Sequence, residues 1–369
     1  MNTPTLFSPL ALGPVTVPNR IAVAPMCQYS AADGCALDWH LQHWCTLAMS
    51  GAGLVMVEAT GVERHGRITH GCLGLYSDDC EAAITRTLTA ARRVAGPARF
   101  GIQLAHAGRK ASSQLPWEGG AALGAHEDPW PTVSASALPF DDGWHLPAAL
   151  DDEGMARVVA AFVAAARRAV RIGFDVVELH SAHGYLLHQF LSPLSNRRTD
   201  DCGGSLANRM RFPLRVLGAV RAAVPAGTAL GMRISATDWV PGGWTLEDSI
   251  EYLQTAKAAG LDYVCVSSAG LTAKADIPLG PGYQVAAAER IRQATGLVTR
   301  AVGLITSARQ AQAIVAEGRA DQVALARAFL DDPRWGWHAA DELGVEVAGP
   351  PQYARVRPAS WRRMRDASR

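Results

Sequence analysis

Two imidazoles and a phenol stand close together in His180-Ser181-Ala182-His183-Gly184-Tyr185. Such a set can direct two hydrogen bonds at one substrate oxygen and deliver one proton to a nearby carbon, which is what polarising a carbonyl and protonating a carbon require. His-x-x-His is also a metal-ligand spacing. A metal would need a third ligand, and Glu178 could supply it only if one strand runs through both Glu178 and His180. A structural role, the imidazoles capping a loop, is the third reading. A second set is basic and contains glycine: Arg233, Gly303 and Arg327. Glycine lets a phosphate approach the backbone, and a guanidinium fork matches its oxygens. Gln103 carries both a donor and an acceptor, which suits the edge of a heterocycle.

A repeated pattern of elements could bring these residues together. Short apolar runs at 20–26, 54–60, 99–106, 175–182, 230–236, 263–269, 297–303 and 322–329 alternate with helical periodicity, clearest at 82–94, 153–172, 205–224, 246–259 and 307–317. Near-continuous apolar strands are what a parallel sheet covered on both faces needs. Asp151, Ser205, Thr245 and Thr306 are placed to start helices, and Gly173, Gly260 and Gly318 to end them. Eight such units predict an α/β fold of the (β/α)8 barrel type. A doubly wound open sheet is the alternative, but no Gly-x-Gly-x-x-Gly follows the first strand and no Walker A sequence occurs.

In such a barrel the C-terminal ends of the strands share one mouth. The runs deliver Ala24-Pro25-Met26-Cys27-Gln28-Tyr29, then Ala59-Thr60, then Gln103, His106, Arg109 and Lys110, then the histidine motif, then Arg233, Gly303 and Ala326-Arg327. The loops after strands seven and eight commonly hold phosphate. With a heterocycle edge at Gln103, the implied ligand is FMN lying across the mouth. Residues 112–150, rich in Gly, Pro, Asp and Trp, form a long excursion after the third strand and read as a lid or rim. The tail 353–369 carries arginines at 355, 357, 362, 363, 365 and 369. No linker or composition shift divides the chain, so residues 1–369 read as a single FMN-binding domain with extensions.

Composition narrows the partners. Basic and acidic residues number 35 and 34, a net charge of +1, so no whole-molecule field favours nucleic acid or an anionic membrane. Nothing approaches a membrane span or a signal peptide. Seven scattered cysteines without a Cys-x-x-Cys pair suggest neither a disulfide framework nor a zinc site, and a reducing, cytoplasmic setting fits. With three lysines, at 110, 257 and 274, a Schiff-base lyase has few candidates.

The sequence resembles the old yellow enzyme family of FMN-dependent ene-reductases, specifically its bacterial branch of xenobiotic-reductase type. The likeness runs through Leu6-Phe7-Ser8-Pro9, Asn19-Arg20-Ile21, the Ala24–Tyr29 stretch, Gly66-Arg67-Ile68-Thr69, Gln103-Leu104-Ala105-His106-Ala107-Gly108-Arg109-Lys110, the histidine motif, Gly203-Gly204-Ser205, Asn208-Arg209 and Gln352-Tyr353. It implies an eight-stranded barrel holding FMN non-covalently, reduced by NADPH or NADH in the first half of a ping-pong cycle. Ala24, Pro25, Met26, Cys27, Ala59 and Gln103 would line the ring system, with Cys27 tuning its potential. Arg233 would face N1 and the C2 carbonyl, and Gly303, Ala326 and Arg327 would hold the phosphate. His180 and His183 would grip the oxygen of an α,β-unsaturated carbonyl or nitro compound. Hydride would then pass from flavin N5 while Tyr185 protonates the other carbon. Tyr29 and Lys110 would complete the pocket, no metal would take part, and Arg355 would reach a neighbouring subunit's site in a dimer or tetramer. The chain departs from the family at Cys202, where a tyrosine is common, and at Ala326, where glycine is common. Alanine there can still offer its N–H to phosphate if its φ is negative.

Overall fold

The computed structural model describes residues 5–356 and residue 367. Eight parallel strands close into one barrel: β1 (Ile21–Val23), β2 (Leu54–Gly61), β3 (Arg99–Ala105), β4 (Val176–Ser181), β5 (Ala229–Ser235), β6 (Tyr263–Ser267), β7 (Val298–Ala301) and β8 (Gln322–Leu325). Each pairs with its neighbour in sequence, and β8 closes on β1 through Val323–Leu325 against Ile21–Val23. All eight residues of β2 and all six of β4 are buried, as strands covered on both faces must be. The fold is therefore the (β/α)8 barrel expected from the runs.

Around the strands lie α1 (Asp38–Ala48), α2 (Asp78–Val94), α3 (Asp152–Ile172), α4 (Leu206–Ala223), α5 (Leu246–Ala258), α6 (Val285–Thr295), α7 (Ala308–Ala316) and α8 (Trp335–Glu342). The side chains of Asp151, Ser205 and Thr245 accept the N3 backbone N–H as anticipated. Ser307 takes this role at α7, one residue beyond the expected Thr306. The strand expected at 322–329 ends at Leu325, and Arg327–Asp331 is a short helix; Ala326, Ala328 and Phe329 are apolar enough to suit either.

The N-terminal end of the barrel is closed. A hairpin of Leu10–Leu12 and Val15–Val17 packs Leu10, Leu12, Val15 and Val17 against Leu54, Val176, Ala229 and Tyr263, the first residues of β2, β4, β5 and β6 or their immediate neighbours. Its turn residue Gly13 has φ +53°, and a Cβ there would come within 2.3 Å of Asp262 Oδ1. Ligand entry is thus from the opposite end.

Between the plug and the mouth lies a paired polar layer. Glu178 and Arg300 are buried, with Arg300 Nη1 donating to Glu178 Oε2 at 3.0 Å. The Tyr263 hydroxyl donates to the same oxygen at 2.8 Å, and Gln103 Nε2 donates to Oε1 at 2.8 Å. Gly231 makes room for this, since a Cβ there would lie 2.1 Å from the Tyr263 ring. Glu178 and His180 do share β4, but the carboxylate is consumed by three donors, which removes it as a third metal ligand.

The excursion at 112–150 contains the 3-10 turn Pro116–Glu118 and a two-stranded sheet of Val133–Ser134 and Ala148–Ala149. The chain then passes through Pro351–Val356, where Tyr353 lies against Arg334 and Trp337. Arginines 357, 362, 363, 365 and 369 of the tail lie outside the described residues. Among the described residues no helix is long and apolar enough to cross a membrane.

Candidate active site

The histidine motif leaves β4 through a left-handed residue, His183 at φ +56°, followed by Gly184 at +72°. Such a conformation in a bulky residue persists only where its surroundings hold it. His183 N–H donates to Ser235 Oγ at 2.9 Å, and that hydroxyl donates to Ala269 O at 2.7 Å. Lys110 Nζ donates to His183 O and Gly270 O at 3.0 and 2.9 Å. The loops after β4 and β6 meet backbone to backbone: a Cβ on Gly184 would sit 2.3 Å from Gly270 O, and one on Gly270 2.5 Å from His183 Cα. Gly184 N–H also donates to His188 Nδ1, and His188 Nε2 lies 3.1 Å from Asp238 Oδ1 in a fully buried pair.

This scaffold fixes the imidazoles. Ala182 N–H donates to His180 Nδ1 at 3.2 Å, so the neutral ring carries its proton on Nε2. Nε2 lies 3.3 Å from His183 Nδ1, and His183 Nε2 lies 2.8 Å from Ser267 Oγ. Ser267 in turn donates to Gln284 Oε1 at 3.2 Å. While it donates to Gln284, the Ser267 hydroxyl accepts from His183 Nε2; rotated to donate to that nitrogen instead, it would leave the His183 proton on Nδ1 for a ligand oxygen. Burial, followed by the nearby Arg233 guanidinium, holds both histidines well below the ordinary range, so they are neutral donors at neutral pH. The Tyr185 ring meets the His180 ring edge-on at 4.8 Å, and burial raises its hydroxyl pKa, keeping the proton on it.

The remaining mouth residues come from β1, β2, β3 and the excursion. Ala24 and Ala59 are buried, with Pro25, Met26, Cys27 and Tyr29 half-buried beside them. A register shift between Val57 and Ala59 lets Glu58 accept Gln28 N–H at 3.0 Å, anchoring the loop after β1. Tyr29 has φ +51° and meets Trp117 of the excursion edge-on at 5.8 Å. Burial pushes up both Cys27 and Tyr29. Lys110 packs 4.5 Å from the Phe140 ring and 5.3 Å from that of Tyr185. Its amine holds two carbonyls, so it is not poised for Schiff-base chemistry. Arg109 ties Leu138 O, Pro139 O and Leu271 O together, fastening the excursion over the mouth. His106 turns away to Glu63 at 3.0 Å and takes no part.

On the far side a cavity of about 190 Å³ is lined by Arg233, Ser267, Gln284, Gly303, Ala326 and Arg327, among others. Several features fit a phosphorylated heterocycle. Arg233 Nε is buried with no hydrogen-bond partner. Gly303 has φ +106°, and a Cβ there would strike Gln284 at 2.6 Å. Ala326 has φ −109°, the negative value an alanine needs to offer its N–H there. Arg327 is exposed at the rim. Glu178, an acceptor only, forces the Gln103 amide nitrogen inward and turns its carbonyl oxygen toward the mouth, where it can accept an N–H. A larger surface cavity of about 430 Å³ beside Met49, Pro97, Pro350 and Tyr353 is lined by none of these strand-end residues. Sequence reasoning missed Ser235, Ser267, Gln284, His188 and Asp238, because their partners lie up to 84 residues away in sequence and no local motif marks them.

Comparison with known proteins agrees with this geometry. Residues 5–346 match the family model described as NADH:flavin oxidoreductase / NADH oxidase. The chain is 43% identical over 364 residues to an NADPH dehydrogenase of Geobacillus thermodenitrificans, covering 98% of this chain and 100% of that one. It is 42% identical over 360 residues to an NADH:flavin oxidoreductase of Gibberella zeae, covering 93% and 86%. Among solved structures, morphinone reductase superposes with a TM-score of 0.75 at 30% identity, covering 95% of this chain and 93% of that one. A 2-naphthoyl-CoA reductase superposes at 0.82 and 25% identity over 92% of this chain, which spans about half (52%) of that larger protein. The chain belongs to the NADH:flavin oxidoreductase / NADH oxidase family, within the old yellow enzyme group, and is an FMN-dependent oxidoreductase that draws its electrons from NAD(P)H.

Proposed function

We propose that this enzyme reduces the C=C bond of α,β-unsaturated carbonyl or nitro compounds. The observation that carries the reading is the His180–His183 pair, held neutral with the His180 proton kept on Nε2 by Ala182 and His183 Nε2 lying against Ser267, beside a Tyr185 that keeps its proton. When bound, FMN supplies the two-electron chemistry, accepting hydride from NAD(P)H and passing it on. His180 and His183 hold the substrate oxygen and draw electron density from the alkene. Tyr185 gives its hydroxyl proton to the carbon next to the activating group. Arg233, Gln103, Gly303, Ala326 and Arg327 bind the cofactor, and Ala24, Pro25, Met26, Cys27 and Ala59 shape its bed. Arg233 places positive charge where the reduced ring becomes anionic. Tyr29 and Lys110 shape the substrate side.

Donor and alkene use one mouth in turn, which gives ping-pong kinetics. We read residues 1–369 as one FMN-binding unit, cytoplasmic, working as a homo-oligomer in which Arg355, exposed on Pro351–Val356, reaches a neighbouring site. The test is stopped-flow absorbance in two stages. NADPH should bleach the yellow enzyme, and 2-cyclohexenone should restore the colour. Bleaching without recovery on any activated alkene would reduce the protein to a flavin carrier.

A further inference from the structure

Away from the mouth, two thiols lie together: Cys35 Sγ and Cys80 Sγ are 3.8 Å apart. Cys35 ends a tight turn in which Asp33 (φ +42°) and Gly34 (+82°) are both left-handed and Ala32 pairs with Cys35. Asp33 is fixed by Arg64 at 2.7 Å and Arg67 at 3.3 Å, and its carbonyl accepts from the Tyr76 hydroxyl at 2.9 Å. Gly74 N–H donates to Gly34 O at 2.9 Å. Cys80 is buried in the first turn of α2, its N–H accepted by Ser77 Oγ. The backbone around both residues is thus held, and the sulfurs must close from 3.8 Å to the bonding distance of ~2.05 Å. Cys35 is partly exposed, which gives an oxidant access to one member of the pair.

We propose that Cys35 and Cys80 are a reversible disulfide site that clamps the loop after β1 to the start of α2. The loop is the one that carries Cys27 and Tyr29 into the mouth. With hydrogen peroxide as oxidant, Cys35 sulfur attacks one peroxide oxygen and the O–O bond breaks, leaving a sulfenic acid and one water. Cys80 sulfur then displaces the sulfenic oxygen, which leaves as a second water. Two thiols lose two electrons and two protons, and one peroxide becomes two waters. Burial and the neighbouring Cys80 push the Cys35 thiol up to about 11, so at neutral pH the bond forms slowly and needs excess oxidant.

The test treats the FMN-loaded enzyme with excess hydrogen peroxide, alkylates under denaturing conditions and reads intact mass and linked peptides. Expected are the loss of two alkyl labels relative to untreated protein, one linked peptide pair joining Cys35 to Cys80, and reversal by dithiothreitol. Cys35→Ser and Cys80→Ser should each abolish the loss. The bridged protein should melt several degrees higher, because the bond restricts the unfolded chain. A link between other cysteines, no link at all, or irreversible gain of oxygen at these positions would overturn the site; a mapped bridge with unchanged Tm would overturn the clamp. None of these outcomes depends on which substrate the enzyme reduces.

Discussion

The barrel holds two inward arginines in register with Cys265 on the strands either side of β6, Arg300 fully buried and Arg233 half-buried, and they are partnered differently. In the interior, Arg300 meets Glu178, Tyr263 and Gln322, and its charge is matched by a carboxylate that takes three donors. At the mouth, Arg233 on β5 has a buried Nε with no partner, as Arg300 has a buried Nη2, but Arg233 faces no carboxylate; after burial it is the next factor holding His180 and His183 below the ordinary range. A buried guanidinium nitrogen without a partner is costly, and a ligand oxygen or nitrogen can supply the missing partner. The carboxylate separates the two: Glu178 faces Arg300, while Arg233 makes no ion pair among the described residues, as our proposed cofactor site requires.

The contrast can be broken from either side. The largest effect is expected at Glu178→Ala, which strands Arg300 in the core and should cost about 3–5 kcal/mol in urea unfolding. A loss below about 1 kcal/mol would mean that water already enters this layer. Tyr185→Phe should leave stability and NADPH bleaching nearly unchanged while slowing recovery with 2-cyclohexenone by about 10²–10⁴-fold in stopped flow. Equal slowing of both stages would make Tyr185 a cofactor-positioning group.

Lys110 gives a smaller effect with a definite sign. Burial holds it at about 8 against an ordinary 10.5. Between these values the unfolded chain keeps a proton that the folded chain has lost, so this group adds stability as pH rises from about 8 toward 10.5. Below about 8 both forms are charged and the burial penalty stands in full. Lys110→Met should remove that rise in the urea midpoint, and an unchanged pH profile would contradict it. The smallest effect is expected at Ser267→Ala. Loss of one neutral hydrogen bond should weaken substrate binding by about tenfold or less, read as KM for the alkene, with the FMN spectrum retained.

The eight strands were legible because a parallel barrel buries both faces of each one, which writes continuous apolar runs into the sequence. Strand ends were less so: the run 322–329 continued into a helix because its residues suit both. The mouth was legible where chemistry is local, as in His180 to Tyr185, and where a glycine marks close approach, as at Gly303. Its supports were not. Ser267 reaches His183 across 84 positions and Arg300 reaches Glu178 across 122, and no periodicity connects such pairs. The hairpin plug escaped for a different reason: three-residue strands are too short to carry an alternating signal.

The central claim is that Arg233 makes no ion pair within the barrel because it serves the cofactor. Titrating FMN into deflavinated wild-type and Arg233→Met proteins by flavin fluorescence, with urea unfolding of both apo forms, tests it directly. The account predicts an Arg233→Met apoprotein at least as stable as wild type that binds FMN about 10–100-fold more weakly, the worth of a charge-assisted bond. An Arg233→Met protein that is destabilised without FMN yet binds it with wild-type affinity would contradict it.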